Sequence, residues 1–425
     1  MLDIKLIREN PELVKKGIES KKEPSRVDEI LKLDEERRKL VFETDELKAK
    51  RNAGSQEVGK VKKAGGDAAA LMAEVKAIGE KISENDSRLR ELDAELDGIL
   101  MYIPNLPHQS VPLGSSAEDN VEVRRWLPEG FSFENTEPVL DHTTIGKKLN
   151  ILDFERGTKL SGSGFPLYKG KGATLERALI NFMLDYHLAN HGYSEIFPPF
   201  LVNRDSMKGT GQIPKMEDDM YAIEKDGLYP IPTAEVPITN IYRDEIVAEK
   251  ELPIKYVGYS ACFRREAGSY GKESKGFLRV HQFNKVEMVK FVKPEISYDE
   301  LEKLVNDAED ILKELQIPYR VLMLCTGDLS FSAAKCYDIE AWSPAEQKWL
   351  EISSCSNFEN FQARRANIKY RREDNKKTEF LHTLNGSGLA TSRLMVSLLE
   401  TNQTPEGKII VPKALQKYTG FSIID

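Results

Sequence analysis

Cysteine and histidine are scarce in this chain of 425 residues, with four of the first and six of the second. Cys262, Cys325, Cys336 and Cys355 form no C-x-x-C pair and keep no metal-ligand spacing with the histidines, so no structural zinc is expected. A reducing, cytoplasmic setting follows as the expectation. No run of about 18 apolar residues occurs, which excludes a membrane-spanning helix. The opening stretch MLDIKLIRENPELV interrupts its apolar residues with Asp3, Arg8 and Glu9, unlike a signal peptide. An excess of positive charge is missing as well: the net charge is -8 and the pI near 5.6, so a nucleic-acid partner must be read from local patches. There is no Walker loop. SYGKES (269–274) has the Gly-Lys pair without the following Ser/Thr or the upstream glycine, and SGSGFP (161–166) has two glycines and no βαβ context. Internal repeats and low-complexity segments are absent too.

The length supports two or three domains. From 27 to about 100 the chain has almost no proline and few aromatics. Leu33, Leu40, Leu47 and Val61 keep a seven-residue beat, with Ile30 and Val58 offset by three, and this predicts one long amphipathic helix. After KKAGGD (62–67), Leu71, Val75, Ile78, Ile82, Asn85, Leu89, Leu92, Leu96 and Ile99 form a heptad seam broken by the polar residue at 85. Two helices of about 33 residues joined by Gly-Gly fold back as an antiparallel hairpin about 50 Å long. Such a hairpin is an arm, too thin to enclose an active site. Residues 48–81 hold eight Lys or Arg against four acids, among them Lys48, Lys50, Arg51, Lys60, Lys62 and Lys63. A net positive tip suits phosphate contacts; an oligomerisation coiled coil with a solvated charged face is the alternative.

At YIPNLPHQSVPLGSS (102–116) proline, glycine and serine take over, marking a domain boundary. Beyond it, alternating strands and helical stretches near 174–190, 298–315 and 389–402 predict an α+β domain on an antiparallel sheet. In FLRVHQFNKVEMVKF, strand alternation puts Arg279, His281, Phe283, Lys285 and Glu287 on one face and Leu278, Val280, Val286 and Met288 on the other. The same parity in ACFRREAG sets Arg264 and Glu266 apart from Arg265, and the ten-residue loop AGSYGKESKG (267–276) has the glycines of a hairpin. Paired, these strands offer cations for phosphates, an aromatic plate for a base and a carboxylate for an amino group. ATP with an amine-bearing substrate fits that set; an exposed sheet face with scattered charges is the alternative.

FRRE with VHQFNKVE, IPTAEVPITN (231–240), EISSCSNFENFQARR (351–365) and HTLNGSGLATSRLMVSLLETNQ (382–403) resemble, in that order, the motifs of the seryl-tRNA synthetases, a family of class II aminoacyl-tRNA synthetases. The resemblance spans essentially the whole chain. It implies a coiled-coil arm followed by a class II catalytic domain on an antiparallel sheet with flanking helices. The implied division is an N-terminal tRNA-binding domain at 1–103 (arm about 27–100), a linker and entry at 104–170, and a catalytic domain at 171–425. Motif 1 falls at about 174–202, motif 2 at 256–291 and motif 3 at 382–403.

By resemblance, Arg264 holds the α-phosphate, Glu266 the adenine amino group, Phe283 the adenine ring and Arg279 the pyrophosphate end. Arg265 and Val280 belong to the same ATP contact set, as do Glu351, Ile352, Ser353 and Ser354. Motif 3 looks like a glycine turn entering a helix whose Arg393 meets ATP from the other side, and Arg264 and Arg393 are the implied catalytic pair. Glu351 and Ser354 are the implied Mg²⁺ contacts, an oxygen donor set suited to that ion. Thr233, Ala234, Glu235, Glu287 and Ser387 are the implied serine pocket, and the arm cations named above the implied tRNA contacts. Motif 1 implies a homodimer interface through a helix and a strand ending at Pro199. Two departures are visible: Arg265 stands where many relatives have Ser, and LATSRL replaces a commoner Pro-Arg pair.

The implied activity is a serine--tRNA ligase that forms seryl-adenylate from L-serine and Mg·ATP and passes serine to the 3′ end of tRNA(Ser), with tRNA(Sec) as a further candidate. A catalytically silent tRNA-binding or regulatory paralogue and an amino acid:carrier-protein ligase are the alternatives. The basic arm argues against the carrier-protein reading. Retention of Arg264, Glu266, Glu351 and Arg393 together argues against silence.

Overall fold

The computed structural model describes residues 1–133, 139–267 and 275–425; most of the expected loop at 267–276, with SYGKES in it, lies outside the described residues. The chain divides into two compact units, one of residues 1–19 and 23–104, the other of 20–22 and 105–425.

The first unit is dominated by two helices, α1 (Val27–Lys63) and α2 (Ala69–Leu100), joined by a turn in which Gly65 takes φ +74°. Asp28 and Glu29 in the first turn of α1 and Lys60, Lys62 and Lys63 in its last oppose the helix dipole at each end. The seam residues at 33, 40, 47, 58, 61, 71, 75, 78 and 89 are only half-buried, because two helices alone leave both edges of a seam open. Gly54 falls on the same seven-residue beat, and a Cβ there would lie 2.8 Å from Val75 Cγ2, so it lets the helices close. Asn85 does not break the seam. Its Nδ2 donates to Thr44 Oγ1 at 3.1 Å, and that hydroxyl donates to Leu40 O at 2.7 Å, so both buried polar groups are paired. Buried Asp34 accepts from Arg8 and Arg38. Across the hairpin Arg37 meets Asp93 and Arg88 meets Glu36.

The second unit is built on an eight-stranded sheet of β1 (Val121–Trp126), β2 (Ser194–Glu195), β3 (Ile254–Phe263), β4 (Gln282–Val292), β5 (Tyr319–Met323), β6 (Lys335–Ser343), β7 (Lys348–Asn357) and β8 (His382–Ala390). Their order is β1-β5-β6-β7-β8-β4-β3-β2, antiparallel throughout except for β2 beside β3. The helices that matter here are α3 (Gly170–Asn190), α4 (Glu235–Thr239), α5 (Ser297–Glu314), α6 (Phe361–Arg365) and α7 (Thr391–Thr401). Val286 and Met288 of β4 pack with Leu179 and Met183 of α3 and Leu304 of α5 in the main core. Val289 and Phe291, of opposite parity, join a second core with Ala234 and Ile238. Phe283, Lys285 and Glu287 share that second parity and line a cavity.

Four local expectations change. The stretch 104–170 is no mere linker: VEVRRW forms β1 and pairs with β5 at the sheet edge. The GSG run of motif 3 is strand, not a turn. A Cβ at Gly386 would come 2.6 Å from Cys355 Sγ and one at Gly388 2.5 Å from His187 Nε2, so these glycines serve close packing. The motif 1 strand is only Ser194–Glu195, since the prolines at 198 and 199 lack ladder donors. Finally, β3 ends at Phe263 and β4 begins at Gln282, so parity cannot be carried through 264–266 or 278–281.

Candidate active site

A cavity of about 640 Å³ opens on the face of β4, β7 and β8. Arg264 follows β3 directly. Its backbone N–H donates to His281 O at 2.9 Å, and its guanidinium lies 5.1 Å from the centroid of the Phe283 ring, with Nε 3.4 Å from Pro232 O. Glu266 takes φ +53° and accepts from Arg279, which turns both side chains into the cavity wall. Leu278, Arg279 and Val280 all line the cavity, which an alternating strand could not achieve. Arg265 is directed elsewhere: its N–H donates to Asp219 O and its Nη1 to Asp218 O, both at 3.0 Å, and it is not a lining residue.

On the opposite wall a bulge between Glu351 and Ser353 interrupts the β6–β7 ladder, and Glu351, Ile352, Ser353 and Ser354 all reach the cavity. Ser353 Oγ donates to Ser387 O at 2.6 Å, and Ser354 Oγ lies 3.1 Å from Cys336 Sγ. Arg393, in the first turn of α7, donates through Nη1 to Glu351 O at 2.9 Å and Oε2 at 3.3 Å, and through Nε to Leu278 O at 3.2 Å. The Arg393–Glu351 side chains remain 31% and 47% exposed, so this is a weak, exchangeable pair. Asp338, opposite Ser354 in the ladder, is pushed well above the carboxylate range by burial and then by the charge of Glu351.

The floor is more enclosed. Lys285 Nζ donates to Thr233 Oγ1 at 2.8 Å and lies 2.5 Å from Glu287 Oε2, with these side chains 8% and 2% exposed. That ion pair is close but poorly aligned: Glu287 Oε2 has no well-directed hydrogen bond, and Asn385 Nδ2, which lies against the Glu235 carboxyl, has none either. Thr233 Oγ1 also accepts the N–H of Glu235 at 3.1 Å. Burial, and then Glu287, push the Glu235 carboxyl up to about 7. Ala234 turns away into the second core and does not line the cavity. The floor therefore sets two carboxyl groups against one built-in cation, and an incoming ammonium group would favour the ionised form of Glu235.

Sequence reasoning left Lys285, Asn385 and Gln362 out of the site. Lys285 sits two positions from both Phe283 and Glu287, and Asn385 two from Ser387, so strand parity held the signal for both. Gln362 lies within the stretch EISSCSNFENFQARR, but neither periodicity nor spacing singled it out there. In the first unit, Lys48 pairs with Asp86 and Lys60 with Glu57, whereas Lys50, Arg51, Lys62 and Lys63 have no carboxylate partner among the described residues. Among those residues no group of three or more His, Cys, Asp or Glu is placed to hold a metal.

Residues 1–107 match the model of the seryl-tRNA synthetase N-terminal domain, and 217–402 that of the tRNA synthetase class II core domain (G, H, P, S and T). A serine--tRNA ligase of Chloroherpeton thalassium is 61% identical over 428 aligned positions, covering 100% of each chain. Among solved structures, the seryl-tRNA synthetase from Pyrococcus horikoshii complexed with ATP aligns with a TM-score of 0.93 at 41% identity, over 100% of this chain and 99% of that one. The cytoplasmic serine-tRNA ligase from Naegleria fowleri in complex with AMP gives 0.89 at 31%, with the same coverage.

Proposed function

The chain belongs to the seryl-tRNA synthetase family, and we propose that its cavity joins L-serine to ATP as seryl-adenylate before serine passes to the 3′ end of tRNA(Ser). The ligase activity follows from full-length identity to serine--tRNA ligases, which disfavours both the silent paralogue and the carrier-protein ligase. One observation carries the residue-level reading: a floor with two buried carboxylates and one lysine lies beneath walls bearing Arg264, Arg279 and Arg393. The floor suits an ammonium group and the walls suit a polyphosphate.

The serine ammonium rests against Glu235 and Glu287, and its hydroxyl meets the polar groups of Thr233, Glu287 and Ser387. Phe283 stacks on adenine while the Glu266 carboxylate accepts its amino group. Arg264 and Arg393 hold the α-phosphate from two sides as the serine carboxylate attacks phosphorus in line and pyrophosphate leaves toward Arg279. No side-chain nucleophile is needed, and the rate comes from positioning and preset charge. Val280, Ile352 and Ser353 pack the nucleotide; Arg265, bound to Asp218, acts only through that wall.

The family fold implies a divalent cation with ATP, taken here as Mg²⁺. The site fits one: Glu351 and Ser354 supply hard oxygen donors, and Asp338 is pressed toward its neutral form first by burial and then by the Glu351 charge, a repulsion that a cation relieves. Bound there, it would neutralise phosphate charge. The arm cations Lys48, Lys50, Arg51, Lys60, Lys62 and Lys63 grip tRNA phosphates, and tRNA(Sec) is a further candidate substrate, to be tested beside tRNA(Ser). A shallow groove at 197–201, where Phe197 is 76% exposed, supports a homodimer through motif 1. No described helix is long and apolar enough to cross a membrane, and a cytoplasmic location is proposed. Serine-dependent pyrophosphate exchange, with charging of both tRNAs and sedimentation to give the oligomeric state, tests these assignments. Serine-independent exchange would sink the floor assignment.

A further inference from the structure

Behind the cavity floor lies an amide that touches no solvent and does not line that cavity. Gln362, in α6, is fully buried. Its Nε2 donates to Glu235 Oε1 at 2.6 Å and to Thr210 O at 3.2 Å, while its Oε1 accepts from Thr383 Oγ1 at 2.7 Å. This orientation is over-determined. The Thr210 carbonyl can only accept, so the NH₂ must face it and the Glu235 oxygen beside it, which leaves the amide oxygen for the threonine hydroxyl. Ser332 Oγ donates to the same Thr210 carbonyl at 3.2 Å, so this amide is tied to two cavity-lining residues, Thr210 and Ser332, at one point.

The chemistry explains why a neutral donor stands here. A lysine or arginine against Glu235 would orient the carboxylate but cancel its charge, and the floor already holds one cation, Lys285. An amide orients without neutralising, so the negative charge is left for the substrate. We infer that Gln362 is a positioning and specificity residue: through its bond to Glu235, and itself set by Thr383, it aims that carboxylate at the α-ammonium group of the amino-acid substrate. This rests on the proposed function above and adds the residue that sets substrate selection from behind the wall.

The test is serine-dependent pyrophosphate exchange by the full-length enzyme and by Gln362→Met, Thr383→Val and Thr383→Ser, with folding followed by near-UV circular dichroism. Gln362→Met should raise the serine KM on the order of tenfold or more while leaving the ATP KM within about twofold. Thr383→Val should raise the serine KM several-fold, and Thr383→Ser, which keeps the hydroxyl, should restore it. Competition by glycerate, which has the hydroxyl and carboxylate but no ammonium, should be unchanged in Gln362→Met. An unchanged serine KM, a joint rise for serine and ATP, or a parallel loss of glycerate competition would each overturn the inference. If Gln362→Met does not fold, the threonine pair decides: a serine KM unaffected by Thr383→Val overturns it. Wild-type enzyme without serine-dependent exchange would instead refute the proposed function, and this inference would fall with it.

Discussion

Replacing Arg264 with alanine isolates the electrostatic core of the reaction. Among the described residues no carboxylate pairs with Arg264, whereas Arg279 is held by Glu266 and Arg393 by Glu351. Its guanidinium makes one long bond to Pro232 O and stacks on Phe283. Truncation therefore leaves no buried charge unpaired, and the fold loses only about 0.5–1 kcal/mol of cation–π attraction. A phosphate held by a two-pronged guanidinium loses far more, about 3–4 kcal/mol in the transition state, by comparison with removal of an oxyanion donor. At about 1.4 kcal/mol per factor of ten, kcat for exchange should drop about 10²- to 10³-fold. Arg264→Lys keeps the charge without the fork and should fall between. The assay is serine-dependent pyrophosphate exchange at saturating ATP beside thermal denaturation of the same samples. Exchange within threefold of wild type in folded Arg264→Ala would refute the reasoning, as would an equal loss traced to unfolding.

Changing Lys50, Arg51, Lys62 and Lys63 together to glutamine should flatten the log–log dependence of tRNA affinity on salt, by about 0.7–0.9 for each phosphate no longer neutralised, with pyrophosphate exchange untouched; an unchanged slope removes the arm tip from tRNA binding. Because the Glu235 carboxyl is raised to about 7, the empty folded enzyme holds a proton there that the unfolded chain, near 4.5, has released. That contribution to stability is full below pH 4.5 and is lost as pH rises through 7, so Glu235→Gln should flatten the melting temperature between pH 5 and 8, and parallel curves for the two proteins would contradict it. In the arm, Asn85→Ala should cost about 1–2 kcal/mol in denaturant titration, whereas Thr44→Val with Asn85→Leu should recover most of it; additive losses would deny the pairing.

The arm was legible because a heptad is local: Leu33, Leu40 and Leu47 state their own periodicity. What Asn85 meets was not, since Thr44 lies on the other helix and pairs with it only in one register. In the sheet, alternation read Phe283, Lys285 and Glu287 onto one face, as the cavity has them, but failed at Arg279 and Val280. There the chain has left the ladder, and hydrogen bonds to His281 and Gly164 set its course. The glycines at 386 and 388 read as a turn because glycine permits turns; in β8 they answer to Cys355 and His187, partners far away in sequence. Gln362 sat inside the stretch 351–365 with no periodicity to single it out, since its importance lies in three bonds to residues at 210, 235 and 383. Strand β1 was hidden by the proline-rich stretch before it, which is loop as its composition suggests and reaches the sheet after one short helical turn at Ala117–Asp119.

The most direct measurement is pyrophosphate exchange by the unmodified protein with each of the twenty amino acids, with no tRNA present. Serine should support exchange far above all others, with alanine weaker by several orders of magnitude, because a floor built around Glu287, Thr233 and Ser387 leaves polar groups unpaired when the hydroxyl is missing. Equal exchange with serine and alanine, a different preferred amino acid, or no exchange with any of them would contradict the reading of this cavity.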